Sequence, residues 1–114
     1  MISMRIDKTE FGSVTINGKI FNNDMVVCWD GEIKERAKSH IFSKSELQEL
    51  LLKGPEIVIV GTGHPGLVKI DPEAEKAART AGIKLVAKPS SQAIQEFNKL
   101  VKNKEVIAVI HVTC

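Results

Sequence analysis

The chain has 114 residues, of which 43% are hydrophobic and 26% are charged, and its 16 basic and 14 acidic residues give a formal net charge of +2. These values are typical of one globular domain and exclude a disordered chain, a collagen and a disulfide-rich scaffold. No apolar run approaches the roughly 18 residues of a spanning helix and the first residues lack a secretory signal pattern, so we expect neither a membrane segment nor a leader.

The first forty residues predict an antiparallel β-meander of three or four strands. Asn17-Gly18 lies between the apolar residues of 14–16 and Ile20. This dipeptide favours a two-residue hairpin turn because both of its positions adopt positive φ easily. Asp30-Gly31 separates the apolar run 25–29 from residues 32–34 in the same way and predicts a second tight hairpin.

A helix is predicted to begin directly after Phe42. Ser43 and Glu46 have the spacing of a capping box, in which each side chain accepts a hydrogen bond from the backbone of the other, and Phe42 and Leu47 are spaced as a hydrophobic staple. Lys53-Gly54-Pro55 supplies a cationic end, a left-handed cap and a helix breaker.

The second half of the chain alternates strands with helices. Strands are predicted at residues 57–60, 83–87 and 106–112, the last of them nearly all apolar and therefore central. Asp71 followed by Pro72 predicts the start of a helix that Gly82 ends, and Ser90 predicts the N-cap of the next helix. This order requires right-handed crossovers and a largely parallel sheet. The whole chain, residues 1–114, is thus predicted to form a single α/β domain in which the meander extends the sheet or covers one of its faces.

Residues 61–66 read Gly-Thr-Gly-His-Pro-Gly and match the G-x-G-x-x-G pattern directly after the first predicted parallel strand. A dinucleotide site is disfavoured because the next helix begins only at Asp71, and because the following strand ends in Ala87-Lys88 instead of an acidic residue. A pocket for an anion or another small molecule at the carboxyl end of the strand remains a prediction. Its candidate ligand-binding residues are Gly61, Thr62, Gly63, His64, Gly66, Lys88 and Ser90.

Two other groups of residues have the residue types of a catalytic pair or of a zinc site, but not the required spacing. His111 and Cys114 lie three positions apart and would point to opposite faces of an extended strand, so they do not predict a nucleophile and its base. Cys28, His40, His111 and Cys114 lack the paired spacing of structural zinc sites. We therefore predict no catalytic residues, no metal and no cofactor, and the two distant cysteines indicate a reducing, cytoplasmic setting.

Lysines are concentrated late in the chain, where residues 84–104 contain five of them and one acidic residue. Nucleic-acid sites usually combine such charge with clustered arginines and aromatic residues, whereas this chain has no tyrosine. The pattern is more typical of a solvated lysine face, and we do not expect nucleic-acid binding.

Several short segments together resemble one known family. They are Pro55 to Gly63, Pro72-Glu73, Ala81-Gly82-Ile83, Ala93 with Phe97 to Leu100, and the closing His111-Val112-Thr113-Cys114. In these segments the chain resembles the small family of unknown molecular function shared by the adipogenesis-associated domain protein and a mitochondrial complex I assembly factor, and the closing segment is closer to the former. The resemblance implies a three-layer α/β fold with a mixed central sheet, and it implies protein assembly or regulatory partners. It implies no established catalytic residues.

Two functional hypotheses follow. The first is a non-enzymatic binding, assembly or regulatory module of the cytosol that has protein partners or associates with itself, without membrane contact. The second is a protein, or a small enzyme, that binds a small molecule or anion at residues 61–66. Trp29, the only tryptophan, is expected to cover the core, with an exposed interaction anchor as the alternative.

Overall fold

A computed structural model describes residues 4–113. The strands within that range are β1 (Ile6–Glu10), β2 (Ser13–Ile16), β3 (Lys19–Phe21), β4 (Met25–Cys28), β5 (Ile33–Glu35), β6 (Ile41–Phe42), β7 (Ile57–Gly61), β8 (Lys69–Ile70), β9 (Lys84–Lys88) and β10 (Val106–Ile110). The helices are α1 (Lys44–Leu51), α2 (Pro72–Ala81) and α3 (Ser90–Leu100). Between residues 4 and 113, no helix is both long enough and apolar enough to cross a membrane.

The central sheet has five strands in the order β5-β4-β10-β7-β9. Strands β7, β9 and β10 are parallel, whereas β4 runs antiparallel to both β10 and β5. All five residues of β10 are buried, as its apolar sequence predicts for a central strand. The mixed central sheet is thereby confirmed, although β10 ends at Ile110 and not at residue 112.

The meander both extends the central sheet and covers it. Strands β4 and β5 join the central sheet, while β1, β2 and β3 form a separate antiparallel sheet. Asn17 and Gly18 have φ values of 48° and 80°, which confirms the first hairpin turn. The second hairpin is also confirmed, with Cys28 N donating to Glu32 O at 2.9 Å around a three-residue loop. The sequence underestimated the strand number because β1 buries only Ile6 and shows little apolar alternation.

Alternate residues of the central strands enter two different cores. Ile57 and Ile59 face α3 and the β1–β3 sheet, where Phe97 is fully buried. Val58 and Val60 face α1 and α2, together with Phe42. Complete burial of a side chain of this size contributes roughly 1.5–3 kcal/mol. The sheet therefore holds one layer on each face, and the predicted three-layer architecture is confirmed.

The two crossover connections, β7 to β9 and β9 to β10, have the same handedness. From β7 the chain moves outward to β9 through α2 on one face, and from β9 it returns past β7 to β10 through α3 on the other face. Because direction and face both reverse, the two connections have the same hand, as parallel crossovers require.

Some of the predicted helix-capping interactions are present in the structure and others are not. Asp71 accepts a hydrogen bond from Glu73 N and Gly82 adopts φ 73°, so both ends of α2 are confirmed. Ser43 Oγ accepts a hydrogen bond from Glu46 N at 3.1 Å, but the reciprocal half of the predicted capping box is wrong. The Glu46 carboxylate instead accepts two hydrogen bonds from Arg36, because a buried guanidinium attracts it more strongly than a backbone amide does.

One side chain of α3 binds the backbone of β1 at Ile6, on the outer edge of that strand. The Asn98 amide donates to Ile6 O and accepts from Ile6 N, both at 2.8 Å. These two bonds match the donor and acceptor of one strand residue, and they attach β1 to α3 across 92 positions of sequence.

Replacement of Asn98 by Ala should lower the free energy of unfolding by about 1–3 kcal/mol, because the peptide groups of Ile6 lose both partners in a half-buried place. Urea denaturation followed by circular dichroism measures the change. Asn103→Ala, at an exposed position just beyond α3, serves as the control. Equal stabilities of the two variants would show that the Asn98 bonds contribute nothing.

Candidate functional site

Three parallel strands end at one edge of the central sheet, which we call the carboxyl edge. It comprises residues 61–66 after β7, residues 88–90 at the end of β9 and residues 111–113 after β10. The antiparallel strand β4 begins at the same edge, directly after Asp24. Open sheets commonly bind ligands at the carboxyl ends of their strands, so a ligand site is expected at this edge.

The structure brings the glycine loop against the start of α3. Thr62 N donates to Lys88 O at 2.9 Å, and Gly63 N donates to Ser90 Oγ at 2.9 Å. Gly63 O in turn accepts from Ser90 N at 3.1 Å. Five of the predicted residues, Gly61, Thr62, Gly63, Lys88 and Ser90, therefore do lie together. However, the amides of Thr62 and Gly63 are already used inside the protein and do not point toward a free anion.

Ser90 joins three elements and does not cap α3. The N-cap residue is Pro89, which makes no side-chain hydrogen bond, so the predicted role of Ser90 is wrong. The buried Ser90 Oγ donates instead to His111 O at 2.7 Å while accepting from Gly63 N. A hydroxyl that donates and accepts at once is satisfied by this arrangement.

Gly61 is required by packing at the same place. A Cβ atom on Gly61 would lie 3.0 Å from Ser90 Oγ and 3.1 Å from Ile110 Cδ1. The absence of a side chain thus lets β7 approach α3 and β10 closely, so the protein's own packing requires a glycine at this position.

The remaining predicted residues lie nearer to solvent. His64 is exposed, and its ring centroid lies 6.5 Å from that of Phe11. Gly66 has a φ of 77°, which explains why a glycine is needed there. Lys88 is half-buried, with its carbonyl held by Thr62. His64 and Lys88 are therefore the two predicted residues whose side chains can meet a dissolved anion.

The sequence did not reveal a buried charged cluster beside this loop. Asp24 Oδ2 accepts from Arg36 Nη1 at 2.8 Å and lies 2.7 Å from His111 Nδ1. Asp24 Oδ1 accepts from Val112 N at 3.1 Å. The side chains of Asp24, Arg36 and His111 are at most 3% exposed. A carboxylate buried this deeply is stable only because it is paired and hydrogen-bonded.

Every N–H group of the Arg36 guanidinium has a partner. Nε and Nη2 donate to the two oxygens of Glu46 at 2.7 and 3.1 Å. The remaining bonds go to Asp24, Ser39 O and Ile41 O. Burial lowers the pKa of Arg36, but the hydrogen bonds and charges of Glu46 and Asp24 outweigh burial and raise it. Arg36 is thus permanently charged and fully occupied.

The His111 ring is enclosed as well. His40 packs edge-on against it, with ring centroids 5.3 Å apart, and Thr113 Oγ1 lies 3.5 Å from Nε2. Cys114, whose spacing from His111 does not predict a nucleophile and its base, lies outside the described residues. Cys28 pairs with Ile107, at the far end of β4 from Asp24, so it does not meet the two histidines. Within residues 4–113 no group of three metal-binding side chains is assembled.

The cluster was missed because its members are far apart in sequence, with Asp24 and Arg36 separated by 12 positions and Asp24 and His111 by 87. One signal was available. Asp24 directly precedes an apolar strand and His111 directly follows another. If those strands were antiparallel neighbours, the two residues would meet at one edge.

Trp29 is half-buried and packs against the core beneath α1 and α2, which agrees with a covering role. Lys53 Nζ lies 5.7 Å from the Trp29 ring centroid and pairs with Asp30 at 2.7 Å and with Glu32 at 2.9 Å. The hydrogen bond from Lys53 lowers the pKa of Asp30 and raises that of Lys53 itself. These contacts fix the second hairpin onto the end of α1.

A groove in the described part of the chain lies away from the glycine loop. It has a volume of about 430 Å³ and lies between β5 and α1. Arg36 and Glu46 contribute to its wall, but their polar atoms are already paired with each other. Arg36 and Glu46 therefore provide no free hydrogen-bonding groups to a ligand in this groove.

Comparison with known proteins gives a family and a shared fold. Residues 6–111 match a family described as a protein of unknown function, DUF498/DUF598. The conserved hypothetical protein PH1505 from Pyrococcus horikoshii OT3 is 32% identical with a TM-score of 0.88, over 97% of this chain and 100% of that one. A structure named MT938 is 30% identical with a TM-score of 0.83, over 98% and 100%. An outer membrane protein from Bartonella henselae, 17% identical over 100% of both chains with a TM-score of 0.83, shows the shared fold alone.

Replacement of Asp24 by Asn should lower the free energy of unfolding by about 3 kcal/mol or more, because Arg36 keeps a buried charge that has lost one of its two anionic partners. The midpoint of urea denaturation at neutral pH measures the change. Glu10→Gln removes an exposed ion pair with Lys8 and should cost about 0.5 kcal/mol or less. Similar losses in the two variants would contradict a supporting role for Asp24.

Cys28 should be chemically inert in the folded protein. Burial raises the pKa of the Cys28 thiol to about 11, so little of the reactive thiolate is present at neutral pH. Alkylation by iodoacetamide at about pH 8 should be at least about tenfold slower in native than in urea-unfolded protein. Peptide mapping separates Cys28 from Cys114, and equal rates at Cys28 in both states would refute the expectation.

Proposed function

The chain belongs to the DUF498/DUF598 family of unknown function, and from that premise we propose that it is a non-enzymatic protein-binding module that acts in assembly or regulation. The observation that carries the proposal is the closed carboxyl edge. The Gly63 amide, the Ser90 hydroxyl and the Asp24 carboxylate, which could have served a ligand, bind other parts of the same chain.

Exposed apolar side chains support the same proposal. Phe11 is 71% exposed at the turn between β1 and β2, although that turn is held in place by a 2.7 Å bond from Gly12 N to Val112 O. An exposed aromatic side chain on an anchored turn is typical of protein contact surfaces. The resemblance to the adipogenesis-associated domain protein and the complex I assembly factor points to assembly partners too. A cytoplasmic location belongs to this proposal and rests on the cysteine usage.

A second candidate function is the binding of a small anion by the glycine loop. The observation in its favour is that the predicted residues converge, with the cationic Lys88 beside the loop and His64 at its surface. This candidate needs a ligand that is held by side chains, because the amides of Thr62 and Gly63 are occupied.

Thermal unfolding in inorganic phosphate separates the two functions. For a protein-binding module, about 10 mM phosphate should leave the Tm unchanged relative to chloride of equal ionic strength. A rise in Tm that disappears in His64→Ala and Lys88→Ala, but persists in the distant surface variant Lys99→Ala, would overturn our proposal in favour of the anion site.

Native mass spectrometry of the untagged protein purified from its own cells provides the positive test. We expect a stoichiometric complex with another polypeptide. A small-molecule adduct on an otherwise free chain, lost in His64→Ala and Lys88→Ala, would instead support the second candidate.

A further inference from the structure

We propose that the outer edge of β9 receives an extended segment of a partner protein as a sixth strand of the central sheet. We further propose that this segment carries the pattern acidic, apolar, any residue, apolar, acidic. The inference rests on the proposed protein-binding function and assigns to it a surface and a partner chemistry. Strand β9 is the last in the order β5-β4-β10-β7-β9, so within residues 4–113 no strand pairs with its outer edge.

The backbone of β9 presents free hydrogen-bonding groups at this edge. Lys84 N donates to Glu56 O at 3.1 Å, and Lys88 O accepts from Thr62 N at 2.9 Å. These bonds direct the peptide groups of Lys84, Val86 and Lys88 toward β7. Because peptide groups alternate along a strand, those of Leu85 and Ala87 point outward, where an added strand would bind.

Side chains of β9 alternate between two faces of the sheet. Leu85 pairs with Val58 and Ala87 with Val60, on the face that α2 covers. A groove of about 280 Å³ lies there between β9 and α2, and its apolar lining residues are Ile70, Ala78, Ile83, Leu85 and Ala87. Glu75 and Arg79 also line it and have opposite charges. Two apolar side chains of an added strand, two positions apart, fit this groove.

The opposite face carries the charge. Lys84 and Lys88 share it with Val86, and within residues 4–113 neither lysine has a carboxylate within 4 Å. Acidic residues four positions apart on an added strand would face these lysines while its intervening apolar residues enter the groove. Apolar residues two positions apart on one face and acidic residues four positions apart on the other together give the pattern acidic, apolar, any residue, apolar, acidic.

A second copy of this chain fits the edge less well than a different partner. Antiparallel pairing of two β9 strands around Val86 would place Lys84 of each copy opposite Lys88 of the other, and like charges in this position repel. The other end of the central sheet, β5, has only three residues, and its Lys34 already faces Glu49 at 3.8 Å. The repulsion between two copies and the short, already paired strand β5 both favour binding of an acidic strand from a different protein at β9.

A fluorescein-labelled peptide, Gly-Ser-Glu-Val-Thr-Val-Glu-Ser-Gly, tests the proposal in an anisotropy titration against the full chain. The control peptide, Gly-Ser-Val-Glu-Thr-Glu-Val-Ser-Gly, has the same composition but places its acids on the groove face. We expect saturable binding of the first peptide and at least about tenfold weaker binding of the second. Amide chemical-shift changes should be concentrated in β9 and α2.

Matched variants test the contacts. Ala87→Pro removes an outward amide and should weaken binding by about tenfold or more, since proline is tolerated at a sheet edge but cannot donate there. Glu35→Pro makes the equivalent change at β5 and should leave binding unchanged. Lys84→Glu with Lys88→Glu should abolish binding of the acidic peptide and create binding of its lysine counterpart, Gly-Ser-Lys-Val-Thr-Val-Lys-Ser-Gly. This rescue shows that the double variant is folded.

Several outcomes would overturn the assignment to β9: no saturable binding up to about 1 mM peptide, equal binding of both peptides, or shift changes elsewhere. A dimer in sedimentation that Ala87→Pro dissociates would identify a second copy as the occupant and refute a foreign partner. If the peptide fails while native mass spectrometry still shows a heteromeric complex, the inference falls and the protein-binding function stands. If both fail, the protein-binding function falls as well.

Discussion

The Asp24 carboxylate binds three groups from two other parts of the chain: the Arg36 guanidinium after β5, and the His111 ring and Val112 amide after β10. Through Arg36 the same network reaches Glu46 in α1. Burial of these charges is costly, and the cost is offset only when all partners are present in the correct geometry. The sheet edge, the chain after β5 and α1 therefore depend on one another.

Polar groups elsewhere at the carboxyl edge are also bound by other parts of the same chain. In sheets of this kind the strand ends commonly leave polar groups for a ligand. Here Ser90 lies between Gly63 and His111, and Gly61 allows the close approach that this position requires. Gly61 in the loop is thus required by the protein's own packing. Phe11 and His64 are exposed side chains at the rim of this edge.

Much of the fold follows from local sequence patterns, because hairpin turns, helix ends and buried strands depend on neighbouring residues. Asn17-Gly18, Asp71-Pro72 and the apolar run of β10 each have a local physical cause, and each was predicted correctly. Ser90 and Glu46 were misjudged for the opposite reason, since distant groups compete for their side chains. The cluster around Asp24 depends on which strands become neighbours, and one sequence contains no direct record of strand order. The residues of the glycine loop were placed together correctly, but only tertiary contacts reveal that their amides are occupied.

The position of β10 determines the sequence of events in assembly. It lies between β4 and β7, yet it comes last in sequence among the strands of residues 4–113. On the ribosome, the β4–β5 hairpin and the parallel pair β7–β9 are synthesised before residues 106–110, and until β10 is added no strand pairing within the described part of the chain joins these two parts of the central sheet. Nascent chains at that stage expose the apolar edges of both β4 and β7, which makes them candidates for chaperone binding. The central sheet can therefore close only once β10 has been synthesised and inserted between β4 and β7.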